Sequence, residues 1–402
     1  MNLCNNQFPN ACGASGSNFQ SGRWLAAAWV LWLVPMVVIA ILVIARPDQR
    51  TLTLLYQKAV KHWWSQQALY EGPAGMNYLP HFAVLYSPYD VGGRVVGAIL
   101  WRWTAAAGIA AGLWFFCRTI GGPQRTRTFV IVSAISLPLA LPALQNGQAN
   151  AHLGAALLLA AWCLKAQRWN AAVACLWLAT CIKPLGLAAV GLAWAAYPHL
   201  GWRLACGFGA FLGFPFLFGP PGYVWSQYVG AWENLRQCSE VTEHRFADLN
   251  GLLRTFGFPL SGKASLAVRA SAGAVLMLVC WRASRHETET RRALVWLSAA
   301  AGFLMLFNPM TEANSYAILA PVLGLMAGWE FHGGRARFGW VFAGMALTMG
   351  LLPNLLRPLF GDDFALAWHP AMTLGFLTVV AWQTFQSDRL DAGLPRPAVV
   401  SP

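Results

Sequence analysis

Apolar runs long enough to cross a bilayer, about 18 to 25 residues at their fullest, recur along the whole chain. They fall at 24–45, 95–117, 128–144, 149–164, 169–182, 184–197, 204–218, 264–281, 293–307, 315–329, 338–355 and 364–382. Inside hydrocarbon every backbone N–H and C=O must pair within its own segment, which admits helices. A barrel would need a period-two alternation that the sequence lacks. Of the 402 residues, 57% are apolar and only 11% charged, so the chain is not a set of soluble domains. The expectation is an all-α, polytopic membrane helix bundle of about twelve transmembrane helices. It forms a single domain over 1–402, with amphipathic helices in its outer loops.

Charge sets the orientation. The polar stretch 1–22 and the tail 386–402 flank the first and last runs. No cleavable signal peptide is expected, because 24–45 is too long for one and has no small-residue cleavage pattern. With both termini in the cytoplasm, the inner connections collect Arg23, Arg118, Arg125, Arg127, Lys165, Arg168, Arg282, Arg285, Arg335 and Arg337, whereas cations and acids nearly balance in the outer ones. The net charge of +13 is explained by these helix-end arginines, so nucleic acid is not an expected partner. The nine cysteines stand singly, mostly inside apolar runs, and read as small buried hydrophobes. No tight Asp/Glu/His cluster appears, and no metal site or cofactor is expected. Two places leave the topology open: 169–197 reads as two spans or as one helix broken at Lys183-Pro184, and 78–89 reads as a turn, a short crossing or a re-entrant piece.

This orientation gathers the polar, non-repetitive stretches on the outer side: 46–93, 145–148, 183–184, 223–263 and 308–314. In the first, Lys58, Lys61 and His62 lie on a helix-like segment ending in Trp63 and Trp64. That pattern suits an amphipathic helix in the headgroup plane, and cations there, with Arg50, also suit a lipid phosphate. Tyr78-Leu79-Pro80-His81 carries aromatics that stack on a sugar or belt an interface. Gln148 and Asn150 belong to an amide cluster that stitches helices together or presents donors to a polar ligand. Lys183 stands between two apolar runs without a nearby carboxylate, a functional candidate whose bland counterpart is snorkelling at a helix end. Arg245 lies in the long outer loop. Glu312, Asn314 and Tyr316 open a later span, where Glu312 is either an N-terminal cap or an outer-face carboxylate.

Taken in order, these segments resemble integral-membrane glycosyltransferases of family 87, of the GT-C architecture. The resemblance rests on Y-x-x-A-x-x-W-W from Tyr56, Y-L-P-x-F-A from Tyr78, L-W-R at Leu100, N-G-Q-x-N at Asn146, I-K-P at Ile182, F-A-D-L at Phe246 and N-P-x-T-E-x-N-S-Y at Asn308. It implies a polyprenyl-phosphate sugar donor, an active site on the extracytoplasmic side and a catalytic carboxylate in the first outer loop. It also implies a multi-pass protein of the bacterial inner (plasma) membrane. Where the family carries that Asp, this chain reads Thr51-Leu52-Thr53. The base is then Asp48, Glu312, Glu71 or Asp90, or activity has been lost.

The expected reaction moves a hexose, in the first instance mannose, to a lipid or glycan acceptor among membrane lipids. Asp48 or Glu312 would be the base. Arg50, Lys58, Lys61, Lys183 and Arg245 would hold the donor phosphate, while Tyr78, His81, Gln148, Asn150, Asn314 and Tyr316 position substrate. The competing classes are a transporter or flippase for a lipid-linked solute, for which no internal repeat is visible, and an inactive membrane scaffold.

Overall fold

The computed structural model describes residues 13–71, 76–239, 246–308, 311–361 and 363–391. Among them the chain is helical throughout, with no strand: α1 (Gly13–Ala45), α2 (Thr53–Trp64), α3 (Pro80–Asp90), α4 (Ala98–Ile120), α5 (Arg125–Asn146), α6 (Ala149–Lys165), α7 (Trp169–Ile182), α8 (Gly186–Ala196), α9 (Gly201–Gly213), α10 (Pro221–Ser239), α11 (Leu249–Thr255), α12 (Gly262–His286), α13 (Glu289–Phe307), α14 (Ala320–His332), α15 (Ala336–Phe360) and α16 (Asp363–Asp391).

Eight helical segments are long and apolar enough to cross a membrane, and α6, α7 and α8 are shorter apolar helices. The all-α membrane bundle expected from the apolar runs is what the chain forms. Length separates the roles. The 11 residues of α3 rise only about 16 Å, too little to cross, so 78–89 is not an extra span. The break falls at Lys183, which is extended (φ −144, ψ 134) as a residue before proline prefers, whereas Pro88, Pro138 and Pro142 stay inside helices. Residues 169–197 therefore form two helices, α7 and α8, that pack on each other.

α13 and α14 form the centre, buried over nearly their whole length among α5, α6, α15 and α16. Trp296 of α13 is fully buried and donates its indole N–H to the Ala189 carbonyl, so even its one polar atom is satisfied. At one end of this core, Arg291 and Arg335 enclose the buried carboxylate of Glu330, and Arg291 also donates to Gln383 at 2.7 Å. The other end is where the connections 147–148, 183–185 and 311–319 meet. The turn from α5 to α6 is made by Gly147 at φ +62, a left-handed conformation that a side chain would strain.

Candidate active site

A cavity of about 490 Å³ opens at this second end. Its walls come from α2 and the following loop (Leu52, Leu55, Tyr56, Lys58, Ala59, His62, Leu69, Glu71, Met76, Asn77, Tyr78), from the start of α6 (Gln148, Asn150) and from the α7–α8 break (Lys183, Pro184, Leu185). Leu235 of α10 and the stretch after α13 (Asn308, Glu312, Ser315) complete it.

The turn before α6 is fixed from below by α4. Trp101 donates its indole N–H to the Gly147 carbonyl at 2.9 Å, and the buried Arg102 donates to the Gln145 and Ala98 carbonyls at 3.0 and 2.9 Å. The third arm of Arg102 reaches Thr51 Oγ1 at 3.0 Å, and the Leu52 N–H donates to the Asn146 carbonyl. The Leu100-Trp101-Arg102 segment thus ties the first loop and the Asn146-Gly147-Gln148 turn into one unit.

That unit places one amide on the Glu312 carboxylate and a second behind it. Gln148 donates Nε2–H to Glu312 Oε2 at 2.9 Å, and Asn150 Nδ2 donates to Ser315 Oγ at 2.9 Å and, more weakly, to Gln148 Oε1 at 3.3 Å. One oxygen of Glu312 is therefore held and the residue remains exposed to the cavity. The 311–316 stretch is itself clamped. The Ala247 N–H donates to the Thr311 carbonyl, and the buried Tyr316 O–H donates to the Ala247 carbonyl, each at 2.7 Å. Asp248 caps α11 by accepting from the Gly251 N–H, and a Cβ at Gly251 would collide with the Phe246 carbonyl. The Phe246-Ala247-Asp248 motif is a brace for the Glu312 loop.

Two tyrosines link the start of α6 to the cavity wall. The first N–H of α6, at Ala149, donates to Tyr56 Oη at 3.1 Å, and Tyr56 Oη lies 3.2 Å from Tyr78 Oη. Tyr56 Oη thus accepts the Ala149 N–H and shares a hydrogen bond with Tyr78, whose side chain lines the cavity. Burial, with Glu312 nearby, holds the Tyr78 phenol protonated to about 12, against the hydrogen bond it shares with Tyr56.

Lys183 approaches from the opposite wall with Nζ 6.0 Å from the Tyr78 ring centroid. Among the described residues no carboxylate stands within 4.0 Å of it. Burial lowers its ammonium from 10.5 to about 8, with the charge of Glu312 pulling the other way. An anion entering between Lys183 and Tyr78 would find a cation lacking an ion-pair partner and a hydroxyl donor.

The structure thus brings Tyr78, Gln148, Asn150, Lys183, Glu312 and Lys58 onto one cavity. Glu71, the alternative carboxylate of the first loop, also lines it, whereas the remaining described candidates lie elsewhere. Asp48 is half exposed in an ion pair with Arg94, and Arg50 and Lys61 are exposed away from the cavity. His81 is buried beneath it, stacked on Phe211 and donating Nε2–H to the Phe211 carbonyl at 2.8 Å. Asn314 is half-buried off the lining, Tyr316 is a brace, and Arg245 lies outside the described residues. Sequence reasoning gave no site role to His62, Asn77, Asn308 and Ser315, which also line the cavity. The signal for His62 was its i, i+4 spacing from Lys58, and Asn308 and Ser315 sit in the same motif as Glu312.

No curated protein matches the chain. The model of glycosyltransferase family 87 matches residues 77–288, which includes Tyr78, Gln148, Asn150 and Lys183 and stops short of Glu312. That match covers more than half of the chain, and the protein belongs to glycosyltransferase family 87, a family of membrane glycosyltransferases.

Proposed function

We propose that the cavity transfers a hexose, mannose in the first instance, from a polyprenyl-phosphate donor to a lipid or glycan acceptor on the extracytoplasmic side of the membrane. The observation that carries this reading is the meeting of Lys183 and Glu312 across one cavity, a cation lacking an ion-pair partner facing an oriented carboxylate. The excess of arginine in the opposite connections supports the extracytoplasmic assignment.

In this mechanism the acceptor oxygen forms a bond to the anomeric carbon as the bond from that carbon to the phosphate oxygen breaks. Glu312 takes the acceptor proton through the oxygen that Gln148 leaves free. The departing phosphate gains charge, which the Lys183 ammonium offsets, with the Tyr78 O–H donating to a phosphate or sugar oxygen and Lys58 adding positive potential at the mouth. Asn150, Asn308 and Asn77 offer amides to sugar hydroxyls.

The test is purified protein incubated with radiolabelled polyprenyl-phosphate mannose and membrane lipids, beside Lys183→Met and Glu312→Gln. The expected result is glycosylated product from the wild type and loss of product in both variants. Movement of the donor across vesicles without product would instead identify a flippase, and neither outcome would identify a scaffold.

A further inference from the structure

α10 carries an apolar stripe that no described part of the chain covers. Trp225, Val229 and Trp232 are 66%, 43% and 72% exposed, and their spacing of four and three places them on one face. The opposite face is the packed one: Gln227 Oε1 accepts the Leu69 N–H at 3.0 Å, and Asn234 donates to the Met76 carbonyl at 3.2 Å. Between the two faces lie a polar flank with the exposed Ser226 and Glu233, and an apolar flank with Tyr228 and the cavity-lining Leu235.

The chain leading into α10 fixes its height. α9 and the 3-10 turn Phe214–Leu217 climb about 28 Å at 1.5 and 2.0 Å per residue, close to the thickness of the hydrocarbon core. Their outward side is lipid-like, with Trp202, Phe208 and Leu217 exposed. Only Phe218, Gly219 and Pro220 separate this segment from Pro221, at most about 11 Å of extended chain. α10 therefore begins within the headgroup layer. Two wet tryptophans are costly in water, whereas at the headgroup boundary each indole buries its ring and keeps its N–H solvated.

We propose that α10 is docked on the lipid surface of the cavity-side leaflet, stripe down and Ser226/Glu233 flank toward water, and that it holds the Leu235 wall of the cavity at headgroup depth. The cavity mouth beside Leu235 then opens toward lipid rather than bulk water. This holds whether or not the cavity transfers sugar.

The experiment places the photoreactive residue p-benzoylphenylalanine at Val229, at Trp225 or at Ser226 of the full chain, reconstituted in phosphatidylethanolamine/phosphatidylglycerol vesicles, and weighs the adducts after irradiation. Lipid adducts at positions 229 and 225 should exceed those at 226 roughly tenfold, as for an interfacial helix with one side in the acyl boundary. Equal yields at the three positions, no lipid adduct at 225 and 229, or capture of protein there in place of lipid would overturn the proposal. Because the readout is lipid contact, it stands apart from any assay of glycosyl transfer.

Discussion

Replacing Lys183 with Met tests the centre of the mechanism. The Lys183 ammonium lies 6.0 Å from the Tyr78 ring centroid and has no carboxylate within 4.0 Å among the described residues, so Met, of similar length, strands no charged partner. What is lost is one positive charge beside the departing phosphate. Two unit charges about 4 Å apart interact by about 4 kcal/mol at an effective dielectric near 20. Measured losses for single preorganised groups at developing charge are about 3–4 kcal/mol, or 10² to 10³ in rate. Lys183→Met should therefore lower kcat/KM for a polyprenyl-phosphate sugar by roughly two to three orders of magnitude. The pH dependence supplies a second reading. The free-enzyme ammonium titrates at about 8, so kcat/KM should fall as pH rises through that value, and the limb should vanish in the variant. Stability moves in the opposite sense. The folded value lies below the ordinary 10.5, so between about 8 and 10.5 the unfolded chain binds more protons and wild-type stability rises with pH. Lys183→Met should lack that rise and should be no less stable at pH 7. A folded variant with activity within about threefold of wild type, far short of the loss expected for such a group, would remove Lys183 from the mechanism.

Other expectations follow from individual contacts. Gln148→Ala removes the 2.9 Å donor to Glu312 and should lower kcat by about 10- to 100-fold, the value of a hydrogen bond to a charged group, with fold intact by circular dichroism. Tyr56→Phe leaves the buried Ala149 N–H without its acceptor and should cost about 1–3 kcal/mol, read as a lower Tm in detergent. Thr51→Asp places a carboxylate against the Arg102 guanidinium, whose Nη2 now donates to the threonine hydroxyl at 3.0 Å, and should raise Tm. Because Thr51 does not line the cavity, the same change should not restore transfer to Glu312→Gln; restored transfer would assign the base to the first loop.

The polar residues show how far one-dimensional reasoning reaches. Gln148, Lys183 and Glu312 were legible because each interrupts apolar sequence near a span end, where an unpaired polar group is costly and so stands out. Arg50, Lys58 and Lys61 gave one undifferentiated signal. Only the packing of Tyr56, Ala59, Val60 and Trp63 into the core rotates α2 so that Lys58 reaches the cavity and Lys61 does not. His81 and Tyr316 looked like ligand contacts because their polar atoms need partners. The Phe211 and Ala247 carbonyls supply those partners from segments 130 and 69 residues away.

The sequence by itself determined the helices and their membrane character, because hydrocarbon leaves a backbone no other way to pair its polar groups, and it marked Lys183-Pro184 as a place where 169–197 breaks, since proline disfavours helical backbone before it. Which of the scattered cations, amides and acids share one cavity was decided only by tertiary packing. A helix dictates its own pitch, but the rotation that turns a given side chain toward its neighbours depends on surfaces brought together from distant parts of the chain.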